Sequence, residues 1–242
     1  MQKNFHDITI SEIVTNDFRT SEIFRKYDID FCCGGQRSLH DICLEKQLDE
    51  HKILSELQAM ALTRTGTEHI YDEWELDFLA DYIQNTHHRY VKSEIPVLSA
   101  YLEKIAQVHG GNHPELIRVK NLFEESAKAM LHHMEKEEIT LFPYIKELLQ
   151  YSTNPQDADN PVIDPSENPL NEMMQEHVTE GNRFKEISQL TGNYTVPADA
   201  CNTYLVAIRK LETFELDLHR HIHIENNILF PKTLKLEQSL NQ

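Results

Sequence analysis

Glycine and proline are scarce in this chain of 242 residues, at 7 and 9. They gather at a few breaks, which excludes a fold made of many tight turns and favours long helices. The four cysteines, Cys32, Cys33, Cys43 and Cys201, are too few and too irregularly spaced for a secreted disulfide framework. No C-x-x-C spacing offers a zinc site. No apolar run approaches the ~18 residues that cross a bilayer, and no basic-then-apolar leader opens the chain. The expectation is a cytoplasmic protein with no membrane partner. Basic residues are outnumbered, 23 against 40 acidic, for a net charge of −17. Such a surface repels polyanions, so nucleic acid is not an expected partner. The length suits one large domain, or a large and a small one.

The glycines and prolines divide the chain. Residues 1–62 form one block, with short amphipathic patterns around Thr9–Val14 and Asp17–Phe24, then a break at Asp30-Phe31-Cys32-Cys33-Gly34-Gly35. Ser38 is placed to cap a helix through Cys43, and a further helix is expected over Asp49–Leu62. Residues 63–67 lack an apolar face, and 63–72 read as a linker. From 73 to 242 the pattern is long and helical. Four helices are expected: about Glu73–Gln107 with a kink at Pro96, Pro114–Tyr151, Leu170–Leu190 and Ala198–Leu236. A polar, proline-rich crossover at about 152–169 joins two hairpins. The fold class expected is all-α, a four-helix bundle preceded by a small helical domain.

Histidine is abundant, at 14, and its placement matters more than its number. One eleven-residue phrase occurs twice. His133-x-x-x-Glu137-x-x-x-Leu141-Phe142-Pro143 returns as His221-x-x-x-Glu225-x-x-x-Leu229-Phe230-Pro231. The i, i+4 step sets each histidine and its glutamate on one helix face. Imidazole nitrogen with carboxylate oxygen suits non-haem iron and similar metals. A single such pair is usually a surface hydrogen bond. Two copies on corresponding helices point to two half-sites facing across a bundle. The Leu-Phe-Pro tails read as core packing with a bend at Pro143 and Pro231.

The other two helices supply partners. His88 and His133 stand about 22 residues on either side of the Gly110-Gly111 turn, hence at the same height at ~1.5 Å per residue. His177 and His221 are ~12 Å out of register by the same count, a gap that an extended Asn193–Pro197 segment can absorb. His109 lies ~31 Å up a continuous helix from His88 and ranks second as a ligand. The expected metal ligands are His88, His133, Glu137, His177, His221 and Glu225. Bridging by the two glutamates would give each of two irons two nitrogens and two oxygens, with an oxo or hydroxo bridge. His87, His132, His219 and His223 are expected mostly at the surface, with His219 and His223 as register alternatives to His221. Glu135 and Glu138 are expected to face solvent. Tyr90, Tyr101, Tyr144 and Tyr204 are expected in the core.

Cys32-Cys33 stands apart. Adjacent cysteines make a strained disulfide, so the two readings are an exposed thiol site for redox chemistry or metal and one buried cysteine beside an idle one. Phe24-Arg25-Lys26-Tyr27-Asp28-Ile29-Asp30-Phe31-Cys32-Cys33-Gly34-Gly35 resembles the signature of the N-terminal domain of the iron–sulfur cluster repair di-iron proteins, the ScdA/YtfE family. The two histidine–glutamate phrases, with His88 and His177, resemble that family's hemerythrin-like domain, and His109 also matches a histidine common there. The resemblance covers nearly the whole chain. It departs in a longer crossover around Asn154–Pro169 and a histidine-rich second phrase. It implies a cytoplasmic di-iron protein that helps restore clusters damaged by nitric oxide or oxidants. It further implies damaged iron–sulfur proteins as partners, nitric oxide or dioxygen as small ligands, and Cys32 and Cys33 receiving iron or passing electrons. A homodimer is compatible with it. A hemerythrin-like sensor of dioxygen or nitric oxide, a nitric oxide reductase and a metal-free bundle are the alternatives; metal analysis separates the last.

Overall fold

The computed structural model describes residues 8–62, 71–154 and 169–240. The expected linker, 63–72, falls mostly outside them, as does most of the crossover at 152–169. The described residues are helical, with no strand among them and one isolated bridge between Thr9 and Ser38. They form two compact units: Met1–Glu75 with Ile222–Lys235, and Leu76–His221 with Leu236–Gln242.

In the first unit, α1 (Ile10–Asn16) starts from a Thr9 capping box closed by Glu12. It is followed by α2 (Thr20–Lys26), α3 (Leu39–Lys46) and α4 (Glu50–Leu62). Ser38 caps α3 as expected, its hydroxyl accepting from the Asp41 N–H at 3.1 Å. Ile10, Phe24, Leu39 and Ile53 are wholly buried and form the small core. Gly35 packs so closely that a Cβ there would stand 2.4 Å from the Phe31 carbonyl oxygen and 2.9 Å from Ser11 Cβ.

The second unit holds the long helices. The first run joins α5 (Leu76–Tyr82), a π turn (Ile83–His88) and α6 (Arg89–His109). The second joins α7 (Glu115–Lys136), a π turn (Glu137–Leu141) and α8 (Phe142–Thr153). The third is α9 (Pro169–Leu190). The fourth joins α10 (Asn202–Ile224), a π turn (Glu225–Leu229) and α11 (Phe230–Leu240), with residues 222–235 counted in the first unit. Phe214 of α10 knits the bundle. Its ring meets Phe123 of α7 at 5.3 Å, Phe184 of α9 at 5.7 Å and Tyr90 of α6 at 6.2 Å. Tyr144 and Tyr204 are buried, in keeping with a packing role.

Two details differ from the sequence expectation. The fourth helix begins at Asn202 rather than Ala198; the first intrahelical bond runs from the Leu205 N–H to the Cys201 carbonyl. Gly192, Asn193 and Tyr194 take left-handed backbone angles in the preceding turn. The later start removes about four residues, ~6 Å at helical rise, from the height mismatch of the second hairpin. The prolines at 143 and 231 each follow a π turn. A π turn takes one extra residue, which accommodates the missing proline N–H and shifts the register of the side chains before it. Pro96 lies inside α6, which continues to His109.

Candidate metal centre

Two of the three π turns lie within the repeated phrases, and the first carries a partner histidine. His88 ends the first, and Glu137 and Glu225 begin the second and third. π turns often mark functional sites because they re-aim a side chain without breaking the helix. Two clusters of ligand atoms result. One contains His88, Glu137, His221 and Glu225; the other His133, Glu137, His177 and Glu225; all six residues are buried, and the ligand atoms in each cluster lie within 4.8 Å of one another. Glu225 is one turn beyond His221 on the same unbroken helix. Both glutamates belong to both clusters.

The distances are those of ligands around a cation. His133 Nε2 and His177 Nε2 face each other at 2.9 Å. Glu137 Oε2 lies 3.3 Å from His88 Nε2, and its Oε1 lies 3.4 Å from His133 Nε2. Two donors each ~2.1 Å from one ion stand about 3.0–3.4 Å apart at square to tetrahedral angles. Glu137 is fully buried, and neither of its oxygens accepts a hydrogen bond. An ionised carboxylate in that state is several kcal/mol out of balance unless a positive charge is beside it. Burial pushes the Glu137 carboxyl up, but the His133 and His88 imidazoles outweigh it and hold the group well below the usual carboxylate range.

The outer nitrogens are anchored. His88 Nδ1 is 2.8 Å from Glu138 Oε1, and His133 Nδ1 is 2.6 Å from Glu176 Oε2. With Nδ1–H donating outward, the Nε2 lone pair faces the cluster; this tautomer is assigned from the hydrogen-bond network. The carboxylate–imidazole–cation arrangement fixes ring orientation and raises ligand basicity. Glu138 also accepts from Lys92 Nζ, and Glu176 from Lys136 Nζ. The His133 hydrogen bond brings the Glu176 carboxyl down to about 2.

Several expectations are corrected here. Glu138 does not simply face solvent; it anchors His88. His87 and His223 are buried rather than at the surface, and His219 is half-buried, while His132 is exposed. His87 stacks on His221 at 5.5 Å with an interplanar angle of 7°, and its Nδ1 meets Asp217 Oδ1 at 3.0 Å. His223 meets Thr15 Oγ1 through Nε2 at 3.2 Å and packs against Phe18 and Phe31. Burial lowers its imidazole to about 4. His109 is in neither cluster. It lies at the far end of α6, with Nε2 3.2 Å from Cys201 Sγ. Glu176 and Asp217 had a faint sequence signal: each sits on a bundle helix near a candidate ligand, but so do many solvated acids.

The vicinal cysteines lie within the first unit. Asp30 Oδ1 accepts from the Cys32 and Cys33 N–H groups, and Oδ2 from the Gly34 N–H. This Asx-type turn holds the two sulfurs 3.8 Å apart. Asn226 and Asn227 side chains donate to the Cys32 carbonyl at 3.2 and 3.0 Å. The expected exposed thiol site is half right: Cys33 is partly exposed, but Cys32 is buried. Its hydrogen bond with Cys33, together with burial, raises the Cys32 thiol well above its ordinary value, so it is protonated at neutral pH. Asp30, Cys32 and Cys33 form a third, open cluster of ligand atoms.

Residues 79–233 match the hemerythrin HHE cation binding domain, and residues 6–61 match ScdA_N, a domain of unknown function. The iron-sulfur cluster repair protein ScdA of Staphylococcus haemolyticus (strain JCSC1435) is 32% identical over 223 residues, covering 92% of this chain and 96% of that protein. The chain belongs to the ScdA/YtfE iron–sulfur cluster repair family. A second ScdA/YtfE relative, the iron-sulfur cluster repair protein YtfE of Enterobacter sp. (strain 638), is 31% identical over 233 residues, 95% of this chain and 98% of that protein. ScdA of Staphylococcus epidermidis (strain ATCC 12228 / FDA PCI 1200) is 34% identical over 225 residues, covering 92% and 96%. In this ScdA/YtfE chain the helical region that matches the HHE cation binding domain carries the two His/Glu clusters, whose ligand atoms are placed to hold metal ions. No helix among the described residues is long and apolar enough to cross a membrane.

Proposed function

We propose that this chain is a cytoplasmic di-iron protein that takes part in repairing iron–sulfur clusters damaged by nitrosative or oxidative stress. The observation that carries the reading is that both ligand clusters share Glu137 and Glu225. Two carboxylates common to two histidine pairs fit two metals and two bridges. His88 and His221 would hold one iron, His133 and His177 the other. The donor set is all imidazole and carboxylate, with no thiolate, which suits non-haem iron over structural zinc. The relatives' names, iron-sulfur cluster repair protein, support the repair role.

When bound, iron in this set would supply open positions for a small ligand such as nitric oxide or dioxygen, and a pool of metal for a depleted cluster. The chain's own residues do the rest. Glu138 and Glu176 hold His88 and His133 in the ligating tautomer. The burial of all six ligands keeps bulk water from them. Asp30 orders the Cys32–Cys33 turn, leaving Cys33 the more accessible sulfur to receive iron or pass electrons.

The test is anaerobic metal quantification followed by reactivation of a damaged cluster enzyme. Two irons per chain and reactivation that falls in a Cys32→Ser/Cys33→Ser variant are expected. A Glu137→Leu variant that still binds two irons with unchanged spectra would sink the bridging assignment. Turnover of nitric oxide to nitrous oxide by the reduced protein would instead favour the reductase reading.

A further inference from the structure

At the end of the bundle remote from the metal centre, α6 and the start of α10 bring together a second set of reactive side chains. Cys201 is exposed and sits at the N-cap of α10, its carbonyl accepting the first helical hydrogen bond from the Leu205 N–H. His109, the last residue of α6, places Nε2 3.2 Å from Cys201 Sγ. The His109 ring packs on Tyr204 at 5.2 Å. Neighbouring His113 stands between two carboxylates, Glu115 Oε1 at 3.1 Å and Asp199 Oδ1 at 3.0 Å, and its ring meets the same tyrosine at 5.5 Å. The titratable groups facing the sulfur from the packed elements are thus His109 and, one step further, the His113–Asp199–Glu115 set.

We propose that Cys201 and His109 form a reactive thiol–imidazole pair at which the protein takes up low-molecular-mass disulfides as reversible mixed disulfides. A nucleophile and an imidazole within hydrogen-bond reach, supplied by two different helices, is the arrangement that activates a cysteine. The Tyr204 and Thr203 backbone N–H groups at the helix N-terminus and His109 all aim donors at the sulfur, and they bring the thiol down to about 7. The two buried thiols go the opposite way: Cys32, bonded to Cys33, and Cys43 are both raised. Neither Cys201 nor His109 belongs to the metal clusters.

The chemistry is exchange. The Cys201 thiolate, its proton lost to solvent, attacks one sulfur of R–S–S–R. A new S–S bond forms to Cys201 Sγ as the old one breaks, and R–S⁻ leaves with the bonding pair and is protonated by solvent. Cys201 is oxidised to the disulfide level and one R–S group is reduced, so no further oxidant is needed. About half of a thiol with a value near 7 is ionised at neutral pH against ~3% at 8.5; the weaker nucleophilicity of the more acidic thiolate takes back about 5-fold, leaving a net gain of about 3-fold.

The experiment uses the full chain, reduced and desalted, exposed to cystamine over a pH series, quenched with acid, and read by intact mass and peptide mapping. Cys201 is expected to be modified before Cys32, Cys33 and Cys43, with a rate midpoint near pH 7 and full reversal by dithiothreitol. His109→Leu removes one of the three donors, so it should move the midpoint up and slow modification at pH 7 by about 1.5-fold, a part of the roughly 3-fold net gain; Cys201→Ser should abolish this first adduct. Modification beginning at another cysteine, or a His109→Leu chain reacting at the parental rate with the parental midpoint, overturns the proposal. His109→Asn repeats the comparison if the leucine variant loses its helical circular dichroism. Iron content is measured alongside and should be unchanged, since α6 carries His109 ~31 Å from His88.

Discussion

Replacing Glu176 by alanine removes the anchor of one metal ligand while leaving every ligand in place. Glu176 Oε2 lies 2.6 Å from His133 Nδ1, and its other oxygen accepts from Lys136 Nζ at 2.6 Å. Lys136 keeps Glu172 at 2.8 Å, so the loss falls mainly on the imidazole. Removing such an anchor lowers metal affinity about 10- to 100-fold, or ~1.4–2.7 kcal/mol. Glu176→Gln keeps an acceptor but loses the charge, and a charge-assisted bond is about twice as strong as a neutral one, so about 3- to 10-fold is expected there. Because His133 and His177 belong to one cluster and His88 and His221 to the other, loss should begin with one ion. Glu138→Ala, acting through His88 at 2.8 Å, should weaken the other. The assay is anaerobic iron(II) titration against a competing chelator, with stoichiometry at each step. Affinities within 2-fold of the parent in both alanine variants, or parallel release of both ions in each, would refute the anchoring argument.

Three further outcomes follow from the packing and the charges. Phe214→Ala removes the ring that meets Phe123, Phe184 and Tyr90 and should destabilise the bundle by about 3–5 kcal/mol, read by chemical denaturation. His113 is raised above its ordinary value, chiefly by its hydrogen bond to Asp199 and against partial desolvation, with Glu115 adding. A raised imidazole contributes in full below its unfolded value of ~6.5 and loses that contribution as pH rises through the folded value. His113→Ala should therefore lower the melting temperature more at pH 6 than at pH 9, and an equal drop at both would contradict the clamp. Asp30→Ala strips three backbone N–H groups of their acceptor and should cost about 1–2 kcal/mol in the first unit while speeding alkylation of Cys32, as read by peptide mass.

The helices and the repeated phrase were legible because both are local. Hydrophobic period, a cap such as Ser38 and the i, i+4 step from His133 to Glu137 depend on a few neighbouring residues, and equal counts about the Gly110-Gly111 turn set His88 level with His133. The same counting put His109 far from His88, and α6 carries it there, beside Cys201. The π turns were not legible, since one extra residue in a turn leaves no mark in an apolar pattern. They affect which flanking histidines point inward, and His87 turned out buried against His221.

By itself the sequence determined an all-α chain, four long helices and two facing histidine–glutamate half-sites, because backbone geometry turns spacing directly into faces and heights. Only the tertiary structure decided which acids serve the site. Glu138 and Glu176 look like any solvated glutamates until the helices pack and bring them to 2.8 and 2.6 Å from an imidazole nitrogen. Tertiary packing likewise buried Cys32, exposed Cys201 and set the latter beside His109. A residue's neighbours from other helices set its ionisation and its accessibility, and no local pattern encodes those neighbours.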